Sequence, residues 1–345
     1  MRLDEIGEFG LIERIRSRKS NYDEDVVIGI GDDCAILRRG PVLEVLTTDC
    51  LVKGTHYEDD WLSVKDVGWK ALAVNVSDVA AVGGIPKHAL VTLFLSDGMT
   101  AADVDGLYDG LDECGNAFGV SIVGGDIVKI RGPFAISVTL AGTCERDEVV
   151  LRSGAREGDL IVVTGALGEA ALGMKCLRDG VAAAEGSPLG ECVKKFRRPS
   201  PRLPASRAIV EALRPSSMID ISDGLLADVR HILEASKVGA ELDAEAIPIS
   251  AGVRDFFKGE EEAVAWAISG GEEYELLFTM SAKKQDKLPE LAAKLGIKLT
   301  PIGGIIPKSY GVKLKSPNGE KELKPDDMPG GMPGGFDHFK SEGSR

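Results

Sequence analysis

The sequence predicts a mixed α/β (α+β) protein of two domains. Three observations carry that prediction. The chain has 345 residues, more than one hydrophobic core usually serves. Apolar runs with strand character alternate with stretches of helical periodicity in both halves. Between the halves, "GAREGD" (residues 154–159) is a polar, glycine-bearing break.

Taken in order, Ile6, Phe9, Ile12 and Ile15 recur at helical spacing and predict a short amphipathic opening helix. Strands are expected at Val26–Ile30 and Val42–Thr47. Ser63 with Asp66 has the form of a capping box before a helix from Val64 to about Val82, closed by Gly83, Gly84 and Pro86. A strand at His88–Leu95, a helix opened by Thr100 and Asp103 and running to about Phe118, and strands at Val120–Val123 and Phe134–Thr143 complete the first set.

The division falls at residues 1–148 and 149–345. Beyond it "LIVVTGALGEAALGM" reads as strand, tight turn and helix. A strand at Ser217–Ile221, a helix at Asp223–Ala235, a strand at Tyr274–Met280 and a helix at Ala282–Leu295 follow. "RPSPRLP" (198–204) is an extended or turned connection. From about residue 325, "PDDMPGGMPGGFDHF" has the composition of a flexible tail.

With 55 acidic against 41 basic residues the net charge is -14, which argues against a nucleic-acid surface. The cysteines at 34, 50, 114, 144, 176 and 192 form no CxxC pair and no tight framework, as expected of a reduced compartment. The opening residues carry charges every few positions, unlike a secretion signal, and no apolar run is long enough to span a membrane. A cytoplasmic protein without membrane or nucleic-acid partners is therefore expected.

One pattern recurs: an apolar run, a small residue, then aspartate. Asp33 follows "GIGD", Asp49 ends "VLTTD", Asp78 ends "AVNVSD", Asp126 ends "SIVGGD", and "MIDISDG" carries Asp220 and Asp223. Taken singly, each could be a turn or cap residue, and Ser222-Asp223-Gly224 before "LLADV" has the look of a cap. Together, at strand ends that point to one cleft, they would repel each other strongly and require a cation. The flanking residues are Gly, Ser, Thr and Val rather than Lys, so hard divalent ions fit, and Thr47 and Thr48 could add oxygen beside Asp49. Zinc does not fit, because His56, His88, His231 and His338 are scattered and no HExxH is present. Magnesium implies phosphate, yet the chain has no GxxxxGK[ST] loop and no kinase-type HRD or DFG.

"GIGDDCAIL", "TTDCLVKGTHY", "KALAVNVSDVAAVGG", "VGGDIV", "RSGAREGD", "RPSPR", "IDISDGLLADV", "SGGEEYELLF" and the terminal "GGFDHF" stand in this order. In that ordered set the sequence resembles the thiamine-monophosphate kinase family. That family belongs to an ATP-dependent superfamily that includes aminoimidazole ribonucleotide synthetase, selenophosphate synthetase and a hydrogenase maturation protein. The resemblance runs from about Glu8 to the terminal motif.

It implies two domains of the aminoimidazole ribonucleotide synthetase type, with N-terminal sheets pairing in a homodimer and ATP held in a cleft with several Mg2+ ions. It implies Asp33, Thr47, Thr48, Asp49, Asp78, Asp126, Asp220 and Asp223 as metal ligands. Tyr108, Gly125, Asp126, Arg152 and Ser222 would meet ATP, and His56, Glu272 and Phe336 thiamine monophosphate. The implied reaction is direct in-line phosphoryl transfer giving thiamine diphosphate, with no protein nucleophile. Two departures bear on the acceptor pocket: Glu273 stands where the family commonly has Asp, and Cys50 where a hydroxyl residue is frequent.

Other readings differ in named features. Selenophosphate synthetases usually carry a reactive Cys or selenocysteine near the N-terminus, and residues 1–25 hold no Cys. The hydrogenase maturation protein ends in a cysteine-bearing tail, whereas this chain ends "FKSEGSR". Aminoimidazole ribonucleotide synthetase shares the fold, although "SGGEEYEL" and "GGFDHF" suit the thiamine enzyme better. A nucleotide or divalent-cation sensor would use the same acidic turns as ligands alone.

Overall fold

The structure is a computed structural model describing residues 3–18 and 22–323. The expected tail and Phe336 lie outside the described residues. The elements are α1 (Leu3–Arg16), β1 (Val26–Ile28), β2 (Ala35–Arg39), β3 (Val42–Val52), α2 (Val64–Ala81), β4 (Ile85–Leu95), α3 (Ala101–Phe118), β5 (Ser121–Lys129) and β6 (Ala135–Cys144). After them come β7 (Asp159–Thr164), α4 (Glu169–Arg178), α5 (Pro188–Arg197), α6 (Leu203–Leu213), β8 (Ser217–Asp220), α7 (Leu225–Ser236) and β9 (Gly239–Asp243). Last are α8 (Ala251–Phe256), α9 (Glu260–Ser269), β10 (Leu276–Ser281), α10 (Leu288–Leu295), β11 (Leu299–Ile306), β12 (Val312–Ser316) and β13 (Gly319–Glu322).

Two mixed sheets organise the chain. The first has six strands in the order β1-β2-β3-β6-β4-β5. Its β4 and β5 run parallel, with α3 as the crossover between them, and its other pairs are antiparallel. The second has seven strands in the order β13-β12-β9-β11-β7-β10-β8, with β9 and β12 parallel.

The expected caps form. Ser63 and Thr100 each accept the backbone N–H three residues on, and Asp66 and Asp103 each bond back, closing both capping boxes. Helix α2 is buried along most of its length because it lies between the first sheet and α3. A side chain on Gly68 would meet the Leu107 carbonyl, and one on Gly110 the Lys65 carbonyl, so these glycines permit the close crossing of α2 and α3. In this packing α2 becomes a rigid spine through the first core.

Elsewhere the structure departs from the sequence expectation. The helix expected at Ala282–Leu295 is a 3-10 turn over 282–287 followed by α10, because Pro289 in the first turn of α10 cannot continue a helix from before it. "RPSPRLP" is not all connection: Pro204 lies in the first turn of α6, where its missing N–H costs nothing. The opening helix α1 forms but is broken at Gly7 (φ 71°), and its Phe9 and Ile12 face a cavity rather than a core. Among the described residues, no helix is long and apolar enough to cross a membrane.

Candidate active site

A cavity of about 1500 Å³ lies at the ends of these elements, larger than the few hundred to roughly 1,000 Å³ of a pocket for one small ligand. Its acidic side is assembled from both halves of the chain. The loop after β1 supplies Asp32 and Asp33, β3 supplies Thr47, Thr48 and Asp49, α2 supplies Asp78, and the segment before α7 supplies Ser222 and Asp223. Asp220, the last residue of β8, is buried just behind.

Asp33, Asp78 and Asp220 bring carboxylate oxygens within 4.8 Å of one another. Their neighbours fix them. Thr47 Oγ1 donates to Asp78 Oδ2 at 2.5 Å, and Ser77 Oγ donates to Asp220 Oδ2 at 2.5 Å. Asn75 Oδ1 accepts the Asp49 N–H at 3.1 Å, while its amide donates to the Ala71 carbonyl. Two polar residues of α2, Asn75 and Ser77, and Thr47 of β3 thus hold the acidic wall.

The electrostatics are those of a site built for a cation. Burial, then the charges of Asp49, Asp220 and Asp33, push the Asp78 carboxyl well above its usual range. Burial and the neighbouring Asp33 raise Asp220 to about 8. Asp32, raised chiefly by burial and then by Asp33, reaches about 7. Asp223, raised by burial and then by Glu8, also reaches about 7.

Arg152 faces this group, with its guanidinium donating to Asp33 Oδ1 at 2.6 and 3.2 Å. The other oxygen, Asp33 Oδ2, is buried and has no hydrogen-bond partner among the described residues. A buried carboxylate oxygen left unpaired is costly unless something positive completes it. The donors gathered here are hard oxygens, which suits Mg2+ better than a soft metal.

Helix α7 corrects the sequence reading of "ISDGLLAD". Its N-cap is Gly224, which makes no side-chain cap bond, and Asp228 in the helix reaches back to accept the N–H groups of Asp223 and Gly224 at 3.2 and 3.1 Å. Asp223 is not the N-cap residue, and it lines the cavity. Asp228 was not among the residues expected at the site. Its spacing, five residues past Asp223 inside an apolar helix face, was the available signal. His231, one turn further, packs its ring 4.8 Å from that of Phe9 on α1, and burial, then Arg152, lowers it to about 4.

His56, Phe196, Phe257, Trp266 and Glu272 also line the cavity, and Glu272 lies close enough to Asp223 for its charge to raise that carboxyl. His56 Nδ1 accepts the Val52 N–H at 3.0 Å, which fixes the turn after β3 and sets the imidazole at the cavity. Glu272 and Tyr274 adopt left-handed backbone (φ 67° and 51°), a conformation that costs non-glycine residues roughly 1–3 kcal/mol each. The loop is held there by Glu272 N–H to the Ser222 carbonyl at 2.7 Å and Tyr274 N–H to the Ile221 carbonyl at 2.8 Å. The Glu272 carboxylate pairs with Lys70 of α2, which is 1% exposed.

Behind that loop lies a second buried ionic group. Lys195 reaches Glu273 at 3.0 Å, Glu275 at 3.1 Å and Glu169 at 3.2 Å, and Arg202 makes two 2.6 Å bonds to Glu275. Glu273 also accepts the Ala170 N–H in the first turn of α4 at 3.0 Å. The longer side chain at 273 is thus used in tying the loop to α4 and α5.

Not every expected site residue lines the cavity. Tyr108 is half-buried on α3 against the first core. Gly125 and Asp126 lie on β5, the exposed edge strand of the first sheet. In register, Asp126 pairs with Thr92 of β4, which pairs with Ser137 of β6, which pairs with Cys50 of β3.

The AIR synthase related protein N-terminal domain matches residues 31–144, and the corresponding C-terminal domain matches residues 156–315. The thiamine-monophosphate kinase of Escherichia coli K12 is 37% identical over 299 residues, 86% of this chain and 90% of that protein. The thiamine-monophosphate kinase of Bacillus subtilis 168 is 32% identical over 341 residues, covering 96% and 99%. This chain belongs to the thiamine-monophosphate kinase family. The solved structure of AaThiL complexed with AMPPCP and TMP superimposes with a TM-score of 0.83 at 33% identity, covering 98% of this chain and 99% of that one. The family assignment accounts for the two mixed α/β sheets, since the N-terminal and C-terminal domain matches fall on one sheet each.

Proposed function

We infer that the chain transfers the γ-phosphoryl group of ATP to thiamine monophosphate, giving ADP and thiamine diphosphate, with residues 1–148 and 149–345 as its two domains. The observation that carries this reading is the convergence of Asp33, Asp78 and Asp220, with one buried Asp33 oxygen that finds no hydrogen-bond partner among the described residues, at a cavity that His56 and Glu272 also line. Asp33, Asp78, Asp220, Asp223, Asp49, Thr47 and Thr48 would hold Mg2+. When bound, such ions neutralise phosphate charge and orient the transferring group.

The chain's own residues do the rest. Arg152 would lie along polyphosphate while keeping Asp33 in place. Ser222 would meet nucleotide, and His56 with Glu272 would orient the acceptor. The acceptor's phosphate oxygen needs no base, because a phosphate monoester loses its second proton near a pKa of about 6. Transfer is then direct, in line, and without a phosphoenzyme.

Gly125 and Asp126 receive their nucleotide and metal roles if a second copy pairs with the first sheet. The exposed β5 edge with Val123 (59% exposed) and Ile127 (62% exposed) supports that arrangement, since a long apolar edge strand invites pairing. The cysteines among the described residues are all unpaired, which supports a reduced, cytoplasmic setting.

The test incubates pure protein with ATP, Mg2+ and thiamine monophosphate and measures thiamine diphosphate, using γ-labelled ATP. Product is expected, with no label on acid-quenched protein. Absence of product overturns the kinase assignment, and retained label overturns direct transfer.

A further inference from the structure

Lys70 is a fully buried cation that the phosphoryl-transfer scheme does not use. It sits in the middle of α2, four and eight residues before Val74 and Asp78, so the three share one face of the helix. Val74 and Asp78 line the cavity. Lys70 reaches past that wall: its ammonium pairs with the Glu272 carboxylate, donates to the Phe196 carbonyl at 3.1 Å and lies 3.7 Å from the centre of the Phe196 ring.

We propose that Lys70 is a positioning residue for the acceptor substrate, fixing the Glu272 carboxylate at the cavity wall. This rests on the reading of Glu272 as an acceptor-binding residue. Glu272 stands on a left-handed backbone that would relax if released, and its main chain is already held by the Ser222 carbonyl. The Lys70 contact holds the other end, the carboxylate, which is 25% exposed. Lys70 and Asp78 are separated by two turns of one rigid helix, roughly 12 Å along its axis. A single element therefore sets the distance between the acceptor-binding carboxylate and the acidic wall where transfer would occur.

A purely structural role is a definite rival. Phe196 is in the last turn of α5, where a cation satisfies a terminal carbonyl, so Lys70 could serve only to seat α5 on α2. The two roles separate in kinetics. Losing a positioning contact raises KM for one substrate, whereas loosening α5 lowers stability without that selectivity.

The experiment compares wild type, Lys70→Met, Glu272→Gln and the double variant, measuring kcat, KM for each substrate and thermal stability. Lys70→Met is expected to raise the thiamine monophosphate KM about tenfold and leave the ATP KM within about twofold, since it leaves Glu272 without its partner. Glu272→Gln should raise the same KM, and the double variant should be no worse than Glu272→Gln while regaining stability relative to Lys70→Met. An unchanged acceptor KM in Glu272→Gln refutes the acceptor role of Glu272. A raised KM there with an unchanged one in Lys70→Met refutes positioning and leaves that role standing. If Lys70→Met does not fold, the double variant, which buries no lone charge, decides: kinetics matching Glu272→Gln support positioning, and an added loss in ATP KM or kcat overturns it.

Discussion

The protein buries two groups of carboxylates and treats them oppositely. Behind the 271–274 loop, Glu169, Glu273 and Glu275 are met by Lys195 and Arg202, each within ordinary ion-pair distance. At or just behind the cavity, Asp32, Asp33, Asp78, Asp220, Asp223 and Asp228 are met by the guanidinium of Arg152, which pairs with Asp33 alone, and among the described residues one Asp33 oxygen is left without a hydrogen-bond partner. Where the chain supplies cations of its own, acidic residues hold helices and a loop together. Where it withholds them, the balancing charge has to arrive with the ligands.

The largest expected effect tests the cavity group. Asp78→Asn removes a carboxylate from the unbalanced wall, so turnover should fall roughly 100- to 1,000-fold while thermal stability holds or rises. A variant that loses stability in step with turnover would place Asp78 with the structural group instead. Steady-state assays across Mg2+ concentration, paired with thermal melts, measure both.

The rear group should respond in reverse. Arg202→Met leaves Glu275 buried with less compensation, and breaking one side of such a pair costs about 3–5 kcal/mol. Urea denaturation should register that loss, while the folded fraction keeps near-normal turnover. A selective fall in kcat would show that the rear group takes part in catalysis.

The smallest effect sharpens the contrast by pH. Burial, aided by Glu169 and Glu275 and opposed by Lys195, raises Glu273 to about 7. A carboxyl whose folded pKa lies above its unfolded value near 4.5 contributes stability that is complete below 4.5 and lost as pH rises through about 7. Glu273→Gln should therefore flatten the decline in stability between those pH values. An unchanged slope would mean that Lys195 keeps Glu273 ionised throughout.

Legibility in the sequence differed between the two groups for a physical reason. The cavity aspartates follow apolar runs and small residues, because a carboxylate at a strand end must be allowed close to a ligand, and that local grammar can be read directly. The two capping boxes and the α2 and α3 boundaries were local in the same sense. Lys70, Lys195, Arg202 and Asp228 carry no such mark. Each sits in a helix or connection where a charged residue ordinarily faces water; the partners of Lys70, Lys195 and Arg202 come from distant segments, whereas Asp228 bonds the backbone just before its own helix. The opening helix was also read as a helix from its spacing, but nothing local told that Phe9 and Ile12 would face the cavity.

Sequence alone determined the alternation of strands and helices and the residue types of the acidic wall, because each is encoded within a dozen neighbouring positions, and it determined the family through the order of such short motifs along nearly the whole chain. Tertiary structure decided which carboxylates stay uncompensated, that Asp228 is buried at the start of α7 and holds the Asp223 and Gly224 backbone, and that α2 joins the acidic wall to Glu272. Charge balance in a buried site is a property of the residues brought together, and only the packing of α2 against β3, β8 and the 271–274 loop brings these together.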